Sequence, residues 1–499
     1  MQASASTSDY MTLHIPPQFP VFGRAAGVCH QCKRAKSRCD RALPACNRCI
    51  LKKTRCVYGR QISTNNSAGG LCPGEGEDVT PSKDTRPCCL AKVPLDMCYK
   101  LVGMISVALL SGVDDAEQEA SLLRMTLKSA GLTATSIIQT YKDTIHSWFP
   151  IVTEDQIDQL VEYYAWGQCR GIDGMLLLSM ALISQPPCEN CDLTMHSNLY
   201  KAVKQSFLLL QTATKSYLNV LQIGLLLSLF EYGHGLDRES ELTIAGCAVI
   251  CKLNNMNSVA QSKDNTGIGI DATCRKAVII MDCLVKLPKY SKGEQTPSDS
   301  GSNLVTADAQ LDGNKIKESC GSSSNFEMLF QVAGIVREAT QYIKDEKTSK
   351  SSLNSYLAVE SRLRNLCYAL IQAAGPNSLV FCDSIALALS FLFELNAFHL
   401  MKSQESVSAA DRLAIESSRR MAVDICKSMN EIVPKKGVKG LSLIGLSTTC
   451  RAAQLLARNT PSLCGEGMFT VPDLEALDRA QHEFTQRWRV GATYKKSAV

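Results

Sequence analysis

The sequence predicts a small cysteine-rich module that folds around metal, a flexible linker, and one large all-α domain. Three observations carry that expectation. Six of the 23 cysteines of this 499-residue chain crowd between positions 29 and 56. Residues 61–92 contain STNNSAGG, PGEGED and TPSKDTRP, a Gly, Ser, Pro and charge-rich composition without hydrophobic periodicity, as in linkers. From Val93 onward apolar residues recur at helical spacing, and no alternating strand pattern emerges.

The first element is residues 24–60. Its cysteines, Cys29, Cys32, Cys39, Cys46, Cys49 and Cys56, form two copies of a C-x2-C-x6-C unit. At the composition of this chain such a pattern arises by chance with probability on the order of 10⁻⁴. Zinc favours four tetrahedral ligands, and thiolate is a preferred one. Two zinc ions need eight ligand positions, and six cysteines fill them if two bridge both metals. About thirty residues bury too little apolar surface to fold alone, so the metal cluster stands in for a core. Between Arg24 and Arg60 there are eleven Lys and Arg against one acid, Asp40, a local charge of +10 within a chain of net charge +5. The remainder is therefore mildly acidic. A basic island of this kind is the electrostatic footprint of a nucleic-acid binder. A metallothionein-like store or a redox thiol cluster explains the cysteines but leaves the interleaved cations without a role.

The run CHQCKRAKSRCDRALPACNRCILKKTRC resembles the fungal binuclear zinc cluster, the module of the yeast galactose regulator. The resemblance covers the six cysteines, the basic residues after the second, Asp40 after the third and Pro44 before the fourth. It implies two Zn²⁺ ions bridged by Cys29 and Cys46, and a short helix after Cys32 that enters the major groove at a CGG-like triplet. It places the base-reading lysine at Lys36, where an ammonium donates to guanine O6 and N7. Lys33, Arg34, Arg38, Arg48, Lys52 and Lys53 are then expected mostly at phosphates, which position the module without reading sequence. Ala35 departs from the family, which often has a basic residue there; Arg34 is the candidate to compensate.

The remaining elements follow in order. Residues 1–23, with Ser, Thr and Pro, read as disordered. Helices are expected at Lys100–Leu110, Ala116–Ser129, Thr135–Phe149, Asp173–Ile183, Leu199–Thr212, Tyr217–Tyr232, Glu239–Lys252 and Thr273–Leu287. An irregular insert follows at about 288–325, carrying EQTPSDSGSN and CGSSSN. Helices resume at Phe326–Lys344, Leu353–Ala374, Leu379–Met401, Ala409–Glu431, Ser442–Arg458 and Asp473–Arg487, so that 93–495 forms one helical regulatory domain. YKDTIHSWFPIVTEDQI (141–157), LLLSLFEYGHGL (225–236) and AGCAVICKLN (245–254) are similar to the middle region of fungal zinc-cluster regulators, and the YGHG block to regulators of secondary-metabolite gene clusters.

No feature of the helical part reads as a reaction centre, so an enzyme is not expected. Cys188 and Cys191 form an isolated C-x2-C lacking partners for a zinc site. Gly233-His234-Gly235 lacks the strand–turn–helix context of a phosphate loop. His146 is expected to pack beside Trp148, and Glu466–Trp488 to form an amphipathic terminal helix rather than an activation segment. The first 27 residues lack a secretory pattern, and the most apolar stretch, Leu379–Met401, is interrupted by Asp383 and Glu394, so no membrane partner is expected. The reading is a small zinc-stabilised DNA-binding module joined by a flexible linker to a large all-α regulatory domain. Together they suit a nuclear transcription factor that binds double-stranded promoter DNA and contacts the transcription machinery or a coactivator. Alternatives are a broader metabolic or stress regulator, and a thiol or metal redox sensor built on the same module. No heptad run follows Cys56, so either the helical domain forms a homodimer or the protein binds half-sites as a monomer.

Overall fold

Helix is the rule throughout the computed structural model, which describes residues 28–41, 46–52, 56, 93–111, 116–185, 197–211, 217–258, 268–292, 325–347, 356–374, 381–402, 409–436, 441–445 and 470–490. Among these residues there is no β-strand. The chain divides into two compact units, Met1–Asp84 and Thr85–Val499. The first contains two single-turn helices, α1 (His30–Arg34) and α2 (Asn47–Leu51).

The second unit opens with α3 (Leu95–Ser111), α4 (Ala116–Ser129) and α5 (Ala134–Tyr141). Thr133 and Ser136 start α5 with a reciprocal capping box, each side chain satisfying the other's backbone N–H. The helix expected to continue to Phe149 instead passes into a π-helical turn, Lys142–His146. Its wider turn is held from both ends. The Trp148 indole N–H donates to the Thr144 carbonyl at 2.8 Å, and Lys142 and His146 both meet Glu154. His146 lies beside Tyr141, with ring centroids 5.9 Å apart, and its Nε2 is 3.3 Å from Glu154. The partner that the sequence suggested, Trp148, packs on Phe149 instead.

Next come α6 (Glu154–Trp166), α7 (Gly171–Ser184), α8 (Asn198–Leu210), α9 (Tyr217–Gly233), α10 (Asp237–Ser258) and α11 (Ile268–Lys292). Helix α9 is buried along Val220–Gly233 and packs against α7, α10 and α11. A helix apolar on every side belongs at the centre of a core. The YGHG block is its end. Gly235 takes a left-handed φ of 77°, and the Leu236 N–H returns to the Glu231 carbonyl at 2.8 Å, closing a Schellman motif. At Gly233 a Cβ would lie 2.4 Å from Trp488 Cε3, so glycine is required by packing.

One polar network ties three helices around the same core. Glu231 on α9 is fully buried, yet its carboxylate accepts from Tyr200 Oη at 2.9 Å, Lys204 Nζ at 2.7 Å and Thr243 Oγ1 at 2.5 Å. Burial outweighs these partners and raises the Glu231 pKa.

The chain continues as α12 (Asn325–Lys347), α13 (Tyr356–Ala374), α14 (Cys382–Lys402), α15 (Ala409–Lys436) and α16 (Val471–Arg487). Helix α14 is the second buried centre, in contact with α12, α13 and α15, and α11 touches both α9 and α14. The irregular insert starts later than about 288, because α11 runs through Pro288 to Lys292. Proline removes one ladder bond, but here only the last turn follows it. Of the helix expected over Ser442–Arg458, only 442–445 lie among the described residues.

The expected C-terminal helix is α16, and its apolar side is committed to the core. Leu477, Phe484 and Trp488 are buried. Arg487, also buried, donates to the Ile183 carbonyl at 2.6 Å and the Gln185 carbonyl at 3.4 Å, placing a cation on the negative end of α7. Burial lowers its pKa only to about 10, so it stays charged at neutral pH. Its guanidinium lies 4.1 Å from the Trp488 ring centroid, a cation–π contact.

Candidate metal centre and nucleic-acid interface

Both short helices are built the same way. Cys29 and Cys46 stand before them in extended conformation, with ψ of 152° and 146°, and each helix carries its second cysteine in its first turn. A C-x2-C turn of this form brings two sulfurs to one side. The Cys32 N–H donates to Cys29 Sγ at 3.4 Å, and the Cys46 N–H to Cys56 Sγ at 3.3 Å.

The six sulfurs form two groups, Cys29, Cys32, Cys39 and Cys46, and Cys29, Cys46, Cys49 and Cys56, each with its sulfurs within 4.8 Å of one another. The groups share Cys29 and Cys46. Separations of 3.7 Å recur for Cys29–Cys46, Cys29–Cys49 and Cys32–Cys46. A tetrahedron with Zn–S bonds of about 2.3 Å has edges of about 3.8 Å, so the spacing fits zinc. It is far beyond a disulfide bond of about 2.05 Å. Burial works to raise the Cys29 thiol, but the Cys32 amide and neighbouring thiols outweigh it and bring the pKa down to about 6. Cys29 thus favours thiolate, the metal-binding form, whereas burial raises the Cys46 thiol.

Cys29, Cys32, Cys46 and Cys49 are also the only buried side chains among the described residues of this unit, and Cys39 and Cys56 are half-buried against them. Lys33, Arg34, Lys36, Arg38 and Lys52 are exposed and Arg48 is half-exposed. Among the described residues none of these six is held in an ion pair. Lys53 lies outside the described residues, as do Cys188 and Cys191. Ala35, where the family often has a cation, is the exposed C-cap of α1.

Two features escaped sequence reasoning. Lys36 has a left-handed φ of 44°. Its N–H bonds to the Lys33 carbonyl at 3.2 Å, and that of Ser37 to the Cys32 carbonyl at 2.9 Å, the two bonds of a Schellman motif. Glycine is the usual marker of that position, and lysine gives no such signal. The second is Asp40, known from sequence only as part of a resemblance. Its carboxylate accepts the Asn47 N–H at 3.1 and 3.3 Å, capping α2 with a charge of the sign that a helix N-terminus favours. It joins the two halves of the module.

Residues 27–65 match the family described as fungal Zn(2)-Cys(6) binuclear cluster domain. The N-terminal module is such a domain, and its cofactor is a pair of zinc ions. The chain is similar to Transcription factor BOA15 of Botryotinia fuckeliana (strain B05.10), at 33% identity over 109 residues, which is 22% of this chain and 59% of that protein. The chain thus spans about three-fifths of the length of that relative. No solved structure matches. Among the described residues, no helix is long and apolar enough to cross a membrane.

Proposed function

We propose that this chain is a nuclear, zinc-dependent, sequence-specific DNA-binding transcription factor that activates a fungal biosynthetic gene cluster. The observation that carries this reading is the pair of four-thiol groups fused through Cys29 and Cys46, ringed by exposed cations. All six cysteines are the zinc ligands, and Cys29 and Cys46 bridge. Two Zn²⁺ with six thiolates sum to a charge of −2, which the surrounding Lys and Arg reverse. What the metals supply is folding free energy; contact with DNA falls to the chain's own side chains.

In this reading Lys36 reads a CGG-like triplet in the major groove. Lys33, Arg34, Arg38, Arg48, Lys52 and Lys53 neutralise phosphates and set register. The division of labour assigned to the chain is a DNA-reading module over 24–60 and a regulatory body over 93–495 that contacts the transcription machinery or a coactivator; residues 1–23 and 61–92 lie outside the described residues. The YGHG block supports the biosynthetic-cluster assignment through its likeness to regulators of that kind.

Chromatin immunoprecipitation with sequencing on the tagged protein, beside a Cys46→Ala control, tests the reading. Wild-type peaks that share a CGG-like motif, gather near biosynthetic genes and vanish in the control are expected. Peaks that persist in Cys46→Ala would sink the zinc-dependent reading; dispersed peaks would remove the pathway assignment and leave a broader regulator.

A further inference from the structure

We propose that Ser37 is a phosphorylation site that switches the module's affinity for DNA, a regulation that rests on the function proposed above. The surrounding sequence is Lys33-Arg34-Ala35-Lys36-Ser37-Arg38, which places cations at positions −4, −3, −1 and +1 of the serine. Acidic pockets of basophilic serine kinases recognise that chemistry, above all an arginine at −3. Three described Ser or Thr residues have Arg or Lys at −3: Ser37, Thr340 and Ser442. Thr340 sits mid-helix on α12 with its hydroxyl donated to the Val336 carbonyl at 2.8 Å. Ser442 is half-buried and donates to Asp383. Ser37 and Ser442 both lie outside helix, but Ser37, in the segment 37–41 that follows the turn closing α1, has no bond to a carboxylate among the described residues. Its side chain is half-exposed, and the hydroxyl donates to the exposed Ala35 carbonyl at 2.8 Å, a bond that water can replace.

The modification is ordinary phosphoryl transfer from Mg–ATP. Ser37 Oγ attacks the γ-phosphorus and forms the O–P bond, the bond from that phosphorus to the β,γ-bridging oxygen breaks, ADP leaves, and the hydroxyl proton passes to the kinase's carboxylate base. A phosphoserine carries about −1.5 to −2 charges. On this turn they fall beside Lys36, the proposed base reader, and among Arg34 and Arg38, the proposed phosphate contacts. The phosphate satisfies those cations internally, through the same charge-assisted bonds that a DNA phosphate would make, and it repels the backbone of the duplex. The stripped counterion gain of roughly two phosphate contacts is lost with it.

The test treats zinc-loaded full-length protein with a basophilic serine kinase and Mg–ATP, using the catalytic subunit of cAMP-dependent kinase as the probe. A synthetic peptide of residues 30–41 serves as the control substrate. Fragmentation mass spectrometry locates the phosphate, zinc content is measured before and after, and affinity is read by fluorescence anisotropy on a CGG-containing duplex and by elution from heparin. The expected result is phosphate on Ser37, two zinc ions retained, and affinity for the duplex lowered roughly 10- to 100-fold near 0.1 M salt. Phosphatase should restore it, and Ser37→Ala should be indifferent to the kinase. An unmodified Ser37 in the folded protein, under conditions that fully phosphorylate the peptide, would overturn the proposal. So would a phosphorylated Ser37 with unchanged elution from heparin. Heparin separates the two readings: a protein that never prefers CGG-containing DNA refutes the function proposed above, while the drop in polyanion binding still reports the switch.

Discussion

Lys36 serves two masters, and a single substitution separates them. Its backbone sits at φ 44° in the C′ position of α1, while its side chain is exposed among the other cations. A left-handed conformation costs an ordinary residue roughly 1–2 kcal/mol, which glycine does not incur. Glycine in turn loses about 0.4–1 kcal/mol through its freer unfolded chain. Lys36→Gly should therefore leave the module as stable as before or up to about 1.6 kcal/mol more stable. The side chain's contribution to DNA is a different quantity. A good base-edge contact supplies about 1–3 kcal/mol of discrimination, or about 5- to 150-fold. The assay is competitive anisotropy at one salt concentration with a CGG-containing and a scrambled duplex, beside the chelator concentration that strips zinc from each variant. Lys36→Gly should retain or gain chelator resistance and lose preference for the CGG duplex. Lys52→Ala, changed at a proposed phosphate contact, should weaken both duplexes alike. Equal losses on both duplexes for Lys36→Gly would refute the base-reading role. Lowered chelator resistance would refute the strain.

Two further predictions concern the helical unit. Lys204→Met removes the cation from the fully buried Glu231 and should destabilise by about 3–5 kcal/mol, whereas Lys142→Met, at a solvent-screened pair whose Glu154 is 58% exposed, should shift stability far less. Urea midpoints followed by helical circular dichroism decide it, and equal shifts would contradict the burial argument. Asp473 is held well below the usual carboxylate range by Lys427 first, then by the Thr470 N–H. A depressed folded pKa means that its stabilisation is complete above the unfolded value near 4 and disappears as the pH falls toward the folded one. The stability gap between wild type and Asp473→Asn should therefore be wide at pH 7 and narrow near pH 2, and a gap independent of pH would count against the assignment.

Most helices were legible because each has one signal repeated many times, although α6 (Glu154–Trp166) was not foreseen. Apolar spacing marked Ala116–Ser129 at both ends, and it marked α9 and α14 as well. It could not say what those two helices touch, since a helix apolar on every side points nowhere in particular. Nor could it foresee the π turn at 142–146, which one extra residue per turn creates within a continuous helical pattern. Arg487 was least legible of all. A cation near the end of a terminal helix reads as a solvated residue, and its partner carbonyls at Ile183 and Gln185 lie about three hundred positions away in sequence.

The metal centre was legible for the opposite reason: its chemistry is local and few-bodied. Six thiols at fixed offsets state a ligand count, and the need for eight positions calls for two shared sulfurs; that these are Cys29 and Cys46 was implied by the resemblance, and the two four-thiol groups have those residues in common. The same economy explains the surface. With every buried side chain of the described module a cysteine, burial sets no terms for Lys33, Arg34, Arg38 or Lys52. Lys36 is the exception, because there the backbone has a preference of its own and the side chain proposed to read bases occupies a place that glycine would fill at lower cost. Whether its side chain repays that cost is what Lys36→Gly tests, and the conflict, unlike the cysteine count, can be seen only once the dihedral is known.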